Sequence, residues 1–228
     1  MLLSRNAILR HQREGNIIID PFCDKNLTSA SYDITLGKYY WRESHHDGGY
    51  ITYNPYSKKD VERVWGPEYY IAKPLREWLA KSPFKKMPGI DMDDFIIWIA
   101  PGETILCHTQ EFIGGKNCIN TMMKARSSMG RNFLEICKDA GWGDIGYVNR
   151  WTIEVTNNSR FYHIPLVVGR RIGQMTFFET EPIDEKDAYY KTGKYQGKKD
   201  INKIKEEWKP EMMIPRMYKD WELKLNKK

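Results

Sequence analysis

Six residues, Arg126-Ser127-Ser128-Met129-Gly130-Arg131, put two permanent cations and two hydroxyls within a single short stretch. Planar guanidinium forks suit phosphate oxygens, and a turn here can aim backbone N–H groups at an anion. The same residues also describe an Arg–carboxylate network beside a turn, and composition leaves both readings open. Glu154 lies 23 residues beyond Arg131, in Trp151-Thr152-Ile153-Glu154-Val155-Thr156-Asn157, which alternates with the period of a strand. Ile153 and Val155 mark a packed face, while Thr152 and Thr156 share the other face with Glu154. Glu154 is then either an exposed strand carboxylate or an acid–base group on a mixed face. Between the two groups, Ala140-Gly141-Trp142-Gly143-Asp144 and Gly146-Tyr147 are too glycine-punctuated for a long regular element.

In order and spacing these segments resemble the dCTP deaminase branch of the trimeric dUTPase-like family. Its members carry R-S-S-x-x-R, then a segment close to A-G-W-x-D-P-G-[FYW], then a strand with L-E-[LFI]-x-N. Ile145 stands where that family usually has proline, and Ile153-Glu154-Val155-Thr156-Asn157 supplies the strand. The resemblance implies that Glu154 is the catalytic proton shuttle and that Ser127 and Arg131 orient water and carboxylate. It assigns Arg126 and Ser128 to a phosphate cradle, with Met129 and Gly130 in the same block. Asp144, Thr152 and Ile153 are further nucleotide-site candidates. Mg2+ would ride on a triphosphate and need few protein ligands.

The elements that must position these groups can be read in chain order. Residues 4–15 read as a short helix, with Ser4 at its N-cap, Ala7, Ile8 and His11 facing inward, and Gly15 at its end. Residues 16–20 form a strand that Pro21 stops. Residues 31–37 (SYDITLG) alternate as a second strand and resemble the family's S-x-D-[VIL]-x-L-G; Asp33 reads as a structural carboxylate there. Residues 41–90 fit the family poorly and read as an insertion rich in Tyr, Trp, Pro and Lys. Within it, 74–82 is a helix with Pro74 at its first position and Leu75, Trp78 and Leu79 at helical spacing. The adjacent pair His45-His46 makes a poor metal site. Its aromatics have three possible partners: a neighbouring subunit, the site, or a satellite cluster.

Residues 95–99 and 104–109 are strands around the turn Pro101-Gly102-Glu103, similar to the family's P-G-E-x-x-L-x-x-T-x-E. Two more follow at 164–169 and 171–179, the latter similar to I-G-x-[LM]-x-F. Residues 193–197 (GKYQG) resemble K-Y-Q-[GN]-Q, an element that helps close the family's site; Lys198 replaces the usual glutamine. On that resemblance Tyr190 (or Tyr189), Lys194 and Lys198 join the nucleotide-site candidates. Residues 198–228 read as a strap anchored by Trp208, Met212, Met213, Ile214 and Met217. Many short strands with Gly/Pro turns indicate a mainly β sandwich or barrel. The resemblance specifies a distorted jelly roll of the trimeric dUTPase-like type, with short helices and an inserted segment. The expectation is one domain over 1–228, whose β framework is 1–40 and 91–197.

A chain of 228 residues with 41% hydrophobic and 29% charged residues has the composition of a soluble globular protein. No apolar run is long enough to span a membrane, and the N-terminus lacks a signal-peptide core. Cys23, Cys107, Cys118 and Cys137 show no C-x-x-C spacing and read as reduced thiols, so a cytoplasmic location is expected. The net charge of +6 resides largely in tail lysines and reads as a solvated charged tail; a polyanionic small ligand such as a triphosphate is equally compatible, and no nucleic-acid partner is expected.

Three functions compete. The first is zinc-independent hydrolysis of dCTP to dUTP and ammonia. The second is a bifunctional dCTP deaminase/dUTPase, or a dUTPase, in which Asp144 activates water at the α-phosphate to give dUMP and pyrophosphate. The third is a non-catalytic nucleotide-binding relative. A Gly-rich C-terminal motif of dedicated dUTPases is missing, and the presence of both Glu154 and Arg131 weighs against a binding-only role. Zinc nucleobase deaminases need H-x-E with P-C-x-x-C, and this chain has neither. Elemental analysis should therefore find no stoichiometric zinc; about one zinc per chain, lost together with activity, would refute this.

Overall fold

The computed structural model describes residues 1–44, 51–80, 83 and 85–223. In chain order, helix α1 (Arg5–Arg13) leads to strand β1 (Ile17–Asp20). Strands β2 (Tyr32–Thr35) and β3 (Tyr39–Arg42) follow, then α2 (Lys58–Trp65), β4 (Tyr70–Ile71), β5 (Lys73–Pro74) and α3 (Leu75–Leu79). The long strands are β6 (Phe95–Ile99), β7 (Thr104–Gly115) and β8 (Ile119–Ala125). Helix α4 (Ser127–Arg131) precedes β9 (Leu134–Ile136), β10 (Trp142–Gly143), β11 (Val148–Asn157), β12 (Ile164–Val167) and β13 (Arg171–Glu179). Two short helices, α5 (Tyr189–Thr192) and α6 (Ile201–Glu207), carry the chain into a strap with turns at Pro210–Met213 and Met217–Lys219.

The chain is mainly β, and its sheets stay open rather than closing into a barrel. The largest runs β4-β3-β7-β11-β9, with β1 also on β7. A second runs β10-β8-β13-β2, and a third β12-β6-β5. The main core lies where their apolar faces meet; Ile8, Ile17, Ile34, Ile105, Ile153 and Phe177 are fully buried in it. Strand β11 follows the alternation in its sequence: Trp151, Ile153 and Val155 are buried, while Arg150, Thr152 and Glu154 are half-buried on the other face. Strand β7 is longer than the six residues read from sequence. The polar residues His108, Thr109 and Glu111 hide its second half, and they are buried with hydrogen-bond partners.

Several local readings change. Residues 126–131 form a short helix with Arg126 at its N-cap position, not an open turn. Ser4 occupies the N-cap position of α1 without a side-chain cap, so packing of Ile8 and His11 holds that helix. Pro74 precedes α3 as its N-cap residue instead of starting it, and Trp78 is 37% exposed while Leu75 and Leu79 are buried. Segment 41–90 contributes two satellite clusters. One joins Leu75 and Leu79 to Ile96 and Val167; the other joins Trp41 to Leu106 and the strap residue Met213. Residues 45–47, with the adjacent histidines, lie outside the described residues, as do 81–82 and the last tail lysines. Among the described residues no helix is long and apolar enough to cross a membrane.

Gly37 shows how tightly β7 meets the N-terminal strands. A Cβ there would lie 2.0 Å from the His108 ring. That ring is 1% exposed and its Nδ1 lies 2.7 Å from the Thr109 carbonyl oxygen. Gly37→Ala should therefore destabilise the fold by about 1–3 kcal/mol through overpacking. Thermal unfolding at neutral pH checks this, and an unchanged Tm would mean that the two backbones separate freely.

Candidate active site

The outer face of β11 is the floor of a cavity of about 320 Å3. Arg150, Thr152 and Glu154 rise from that floor, and Asp144, Trp142 and Tyr147 from the glycine-punctuated loop before it. Tyr189 and Tyr195 form one wall; Trp208, Met212 and Met213 of the strap form another. Glycines let the loop come this close. A Cβ on Gly143 would fall 2.2 Å from the Thr121 hydroxyl, and one on Gly141 2.0 Å from the Met123 carbonyl.

Glu154 makes no ion pair among the described residues. Burial pushes its carboxyl above the ordinary carboxylate range; its own backbone N–H and the charge of Lys138 pull it partway back. Asp144 is exposed and accepts a hydrogen bond from Trp142 Nε1 at 2.9 Å. The cavity therefore holds two carboxylates in unlike surroundings.

The strap wall is fixed by stacked rings and a cation. The Arg150 guanidinium lies 4.7 Å from the Trp208 ring centroid and 4.9 Å from that of Phe112, and its Nε donates to the Gln110 carbonyl. The Trp208 ring lies 4.7 Å from that of His108, and Tyr39 contacts both, at 5.7 Å from His108 and 6.1 Å from Trp208. Burial holds the His108 imidazole down to about 4, so it stays neutral in this cluster. Trp41 Nε1 donates to the Pro210 carbonyl, and the Arg216 guanidinium to that of Lys194.

The block 126–131 opens elsewhere. Arg126 and Met129 line a separate cavity of about 580 Å3 with Arg170, Arg171, Thr35 and Glu111. Beside it Asp33 is buried and paired with Arg171 at 2.9 Å and Arg126 at 3.5 Å. Its Oδ1 has no hydrogen-bond partner among the described residues. Arg126 thus belongs to an Arg–carboxylate network, the second of the two arrangements its sequence allows, and still faces a basic cavity. Ser127, Ser128, Gly130 and Arg131 are exposed, and Arg131 has no ion pair among the described residues.

Other candidates scatter. Thr152 joins Glu154, whereas Ile153 is fully buried in the main core, and its side chain points away from that cavity. Tyr189 lines the Glu154 cavity and stacks edge-on against Tyr147; Tyr190 donates instead to Glu185 on the surface. Lys194 pairs with Asp220 and Lys198 with Glu207, and both line a neighbouring cavity of about 250 Å3. Gln196 ties that segment to β11: Val148 N–H donates to its Oε1, and its Nε2 donates to the Gly146 carbonyl. The sequence reading left out Arg150, Tyr195 and Lys138 and treated Trp208 only as an apolar anchor. The signal for Arg150 was present, since it sits four residues before Glu154 on one strand face. Among the described residues no group of three or more His, Cys, Asp or Glu is arranged to hold a metal. The donors present fit Mg2+ only as an ion carried by its phosphate ligand.

The open, mainly β fold has a counterpart among known proteins. A sequence profile described as dCTP deaminase-like matches residues 2–180, and the chain belongs to that family. It is 29% identical over 208 residues to the dCTP deaminase, dUMP-forming, of Methanococcus aeolicus, covering 89% of this chain and 96% of that one. It is 30% identical over 183 residues to the protein of the same name from a Hydrogenobaculum species, covering 80% and 85%. The crystal structure of the 2'-deoxycytidine 5'-triphosphate deaminase from Agrobacterium tumefaciens superposes with a TM-score of 0.50 at 16% identity. That match covers 77% of this chain and 47% of that one, a likeness of fold.

The raised carboxyl of Glu154 has a consequence for stability. With a folded-state pKa above the unfolded one, the native state binds this proton more readily. Stability from the group is full below the unfolded pKa and lost as pH rises through the folded one. Glu154→Gln, which mimics the protonated form, should therefore be more stable than the parent at pH 7–8 and equal to it in acid. Parallel Tm measurements across that range check it; a parent as stable as the variant at pH 8 would show the ionised carboxylate to be well solvated.

Proposed function

We propose that this protein hydrolyses dCTP to dUMP, ammonia and pyrophosphate, consuming two waters at one site. The observation that carries the reading is the pairing of Glu154, half-buried and raised, with Asp144 in a single cavity. The sequence alone put release of dUTP first. Relatives named for forming dUMP favour the bifunctional alternative.

Hydrolysis at C4 of cytosine needs a group that takes a proton from water and hands it to the ring nitrogen and the departing amine. A carboxylate with a raised pKa suits both halves, and such transfer is worth about 10²–10⁴-fold. Glu154 has that character, and the apolar strap wall limits competing water. Asp144, more exposed and held by Trp142, suits activation of a second water at the α-phosphate. Mg2+ bound with the triphosphate would neutralise its charge.

Arg126, Ser127, Ser128 and Arg131 would serve phosphate and water in the same reaction, although they open away from Glu154 within one chain. A nucleotide reaching both groups would bridge two subunits, which supports a homotrimer with sites at subunit boundaries. Lys194 and Lys198 flank the Glu154 cavity and are near enough in the chain to Tyr195 to serve as phosphate contacts. A dCTP-consuming enzyme with free thiols fits a cytoplasmic setting, and no nucleic-acid or membrane partner is invoked.

Chromatography of Mg–dCTP reactions tests the proposal. Wild type should yield dUMP, pyrophosphate and ammonia together. Glu154→Gln should lower kcat for ammonia release by about 10²-fold or more, and Asp144→Asn should leave deamination running while dUTP accumulates. Wild-type release of dUTP alone would return the assignment to a monofunctional deaminase. Near-normal ammonia release by Glu154→Gln would end the deaminase assignment. Light scattering should give a trimer; a fully active monomer rules out the bridged site.

A further inference from the structure

Along β11 the Glu154 cavity has a direction. Its floor runs from Asn149 to Glu154, and among the described residues nothing of β11 beyond Glu154 lines it. A base whose reacting carbon sits at Glu154 therefore has room for the rest of its nucleotide on the Arg150 side. Arg150 stands on the same strand face as Glu154, about 13 Å away along a regular strand. In a cytosine nucleotide the 5′-phosphates lie at the far end from the C4 amine. A nucleotide laid along this floor brings its phosphates towards Arg150.

The charges around the cavity single out the same residue. Among the described residues that line it, Glu154 and Asp144 are the anions and Arg150 is the cation. No carboxylate among the described residues forms an ion pair with Arg150. Glu111, whose charge reaches it, is buried and engaged by the Thr35 N–H and hydroxyl. Lys194 and Lys198 have carboxylate partners and line the neighbouring cavity. Arg150 is thus a half-buried cation whose counter-charge this chain does not supply, on the wall of a cavity that opens beside it.

The way Arg150 is held leaves its donors available. Its Nε donates to the Gln110 carbonyl at 3.2 Å, and its guanidinium lies over the Phe112 and Trp208 rings. A ring face attracts a cation without taking up an N–H. Both terminal nitrogens are left without a hydrogen bond among the described residues. Those are the nitrogens that grip phosphate oxygens as a planar fork. We propose that Arg150 is the phosphate contact that the Glu154 cavity carries within its own chain, donating its terminal N–H groups to the 5′-phosphate oxygens of a bound nucleotide. The role rests on the dCTP reading above, in which Arg126 and its neighbours act from a second subunit.

Calorimetry on the full chain, with ligand NMR for weak binders, tests this; Glu154→Gln serves as the parent so that bound dCTP is not consumed. Adding Arg150→Gln should weaken Mg–dCTP about tenfold or more, the size of a lost charge-assisted bond. Deoxycytidine, which has no phosphate, should bind as before. Arg150→Lys keeps a cation without the planar fork and should show a smaller loss of the same pattern; it decides the matter if Arg150→Gln unfolds. Equal weakening of dCTP and deoxycytidine would make Arg150 only a seat for Trp208 and overturns the inference. Mg–tripolyphosphate is the arm that does not depend on the base, and Arg150→Gln should weaken it about tenfold as well. No difference between parent and variant for either phosphate ligand overturns the inference. A difference for tripolyphosphate, with no preference of the parent for dCTP over it, upholds the phosphate contact and overturns the dCTP reading.

Discussion

The antiparallel pairing of β7 with β11 is the constraint on which the rest depends. It runs from Thr104 opposite Thr156 to Gly114 opposite Val148. Strands β3 and β1 occupy different halves of the other edge of β7, so the N-terminal segments are registered against the same strand. Because side chains alternate, a slip of one residue would send Ile153 outward and Glu154 into the core. Several bonds hold the register. The Thr104 and Thr156 hydroxyls meet at 2.7 Å, and Trp151 Nε1 donates to the Ile113 carbonyl. At the irregularity between Arg150 and Thr152 the Thr109 hydroxyl accepts from Trp151 N–H, so the buried backbone stays satisfied.

That dependence explains what could be read from the sequence. The face on which Glu154 lies follows from a two-residue period and needs no tertiary information. Strand ends at Gly and Pro, the α1 helix and the mainly β class are equally local. The surroundings of Glu154 are not. Trp208 and Met213 reach it from more than fifty residues away, out of a strap with no helical or strand period. Whether Tyr189 or Tyr190 faces the cavity turns on the orientation of a four-residue helix, which neither residue type decides. Arg126 and Glu154 are 28 positions apart in the chain, yet they open onto different cavities because β8 and β11 belong to different sheets. The left-handed turn at Lys138 had no glycine to announce it.

The strap is held less by apolar area than by a cluster of unlike partners. The Arg150 guanidinium lies over the Phe112 and Trp208 rings, and Trp208, His108 and Tyr39 form a mutually contacting cluster between β7 and the C-terminal segment. A cation over two rings and a neutral imidazole beside one of them avoid burying an unpaired charge. The cluster depends on His108 being neutral. Between its ordinary value of 6.5 and its folded value of about 4, the unfolded chain takes up a proton that the folded chain refuses. Stability contributed there rises with pH across that window, so the strap is anchored most firmly at neutral pH.

The strap in turn shapes the chemistry of the cavity floor. A carboxylate on an open strand face would be solvated and titrate normally. Here the wall of Trp208, Met212 and Met213 and the floor of β11 withdraw water from Glu154, and burial is the largest influence on its carboxyl. Asp144 sits in the same cavity but at its exposed edge, with an indole N–H donating to it. Glu154 on the floor and Asp144 at the rim thus meet unlike surroundings within one cavity. Lys138 acts against the burial of Glu154, limiting how far that carboxyl can rise. The balance between an apolar wall that discourages ionisation and a cation that favours it bears on the protonation state of Glu154, the wall through the strap and the cation through the turn that follows β9.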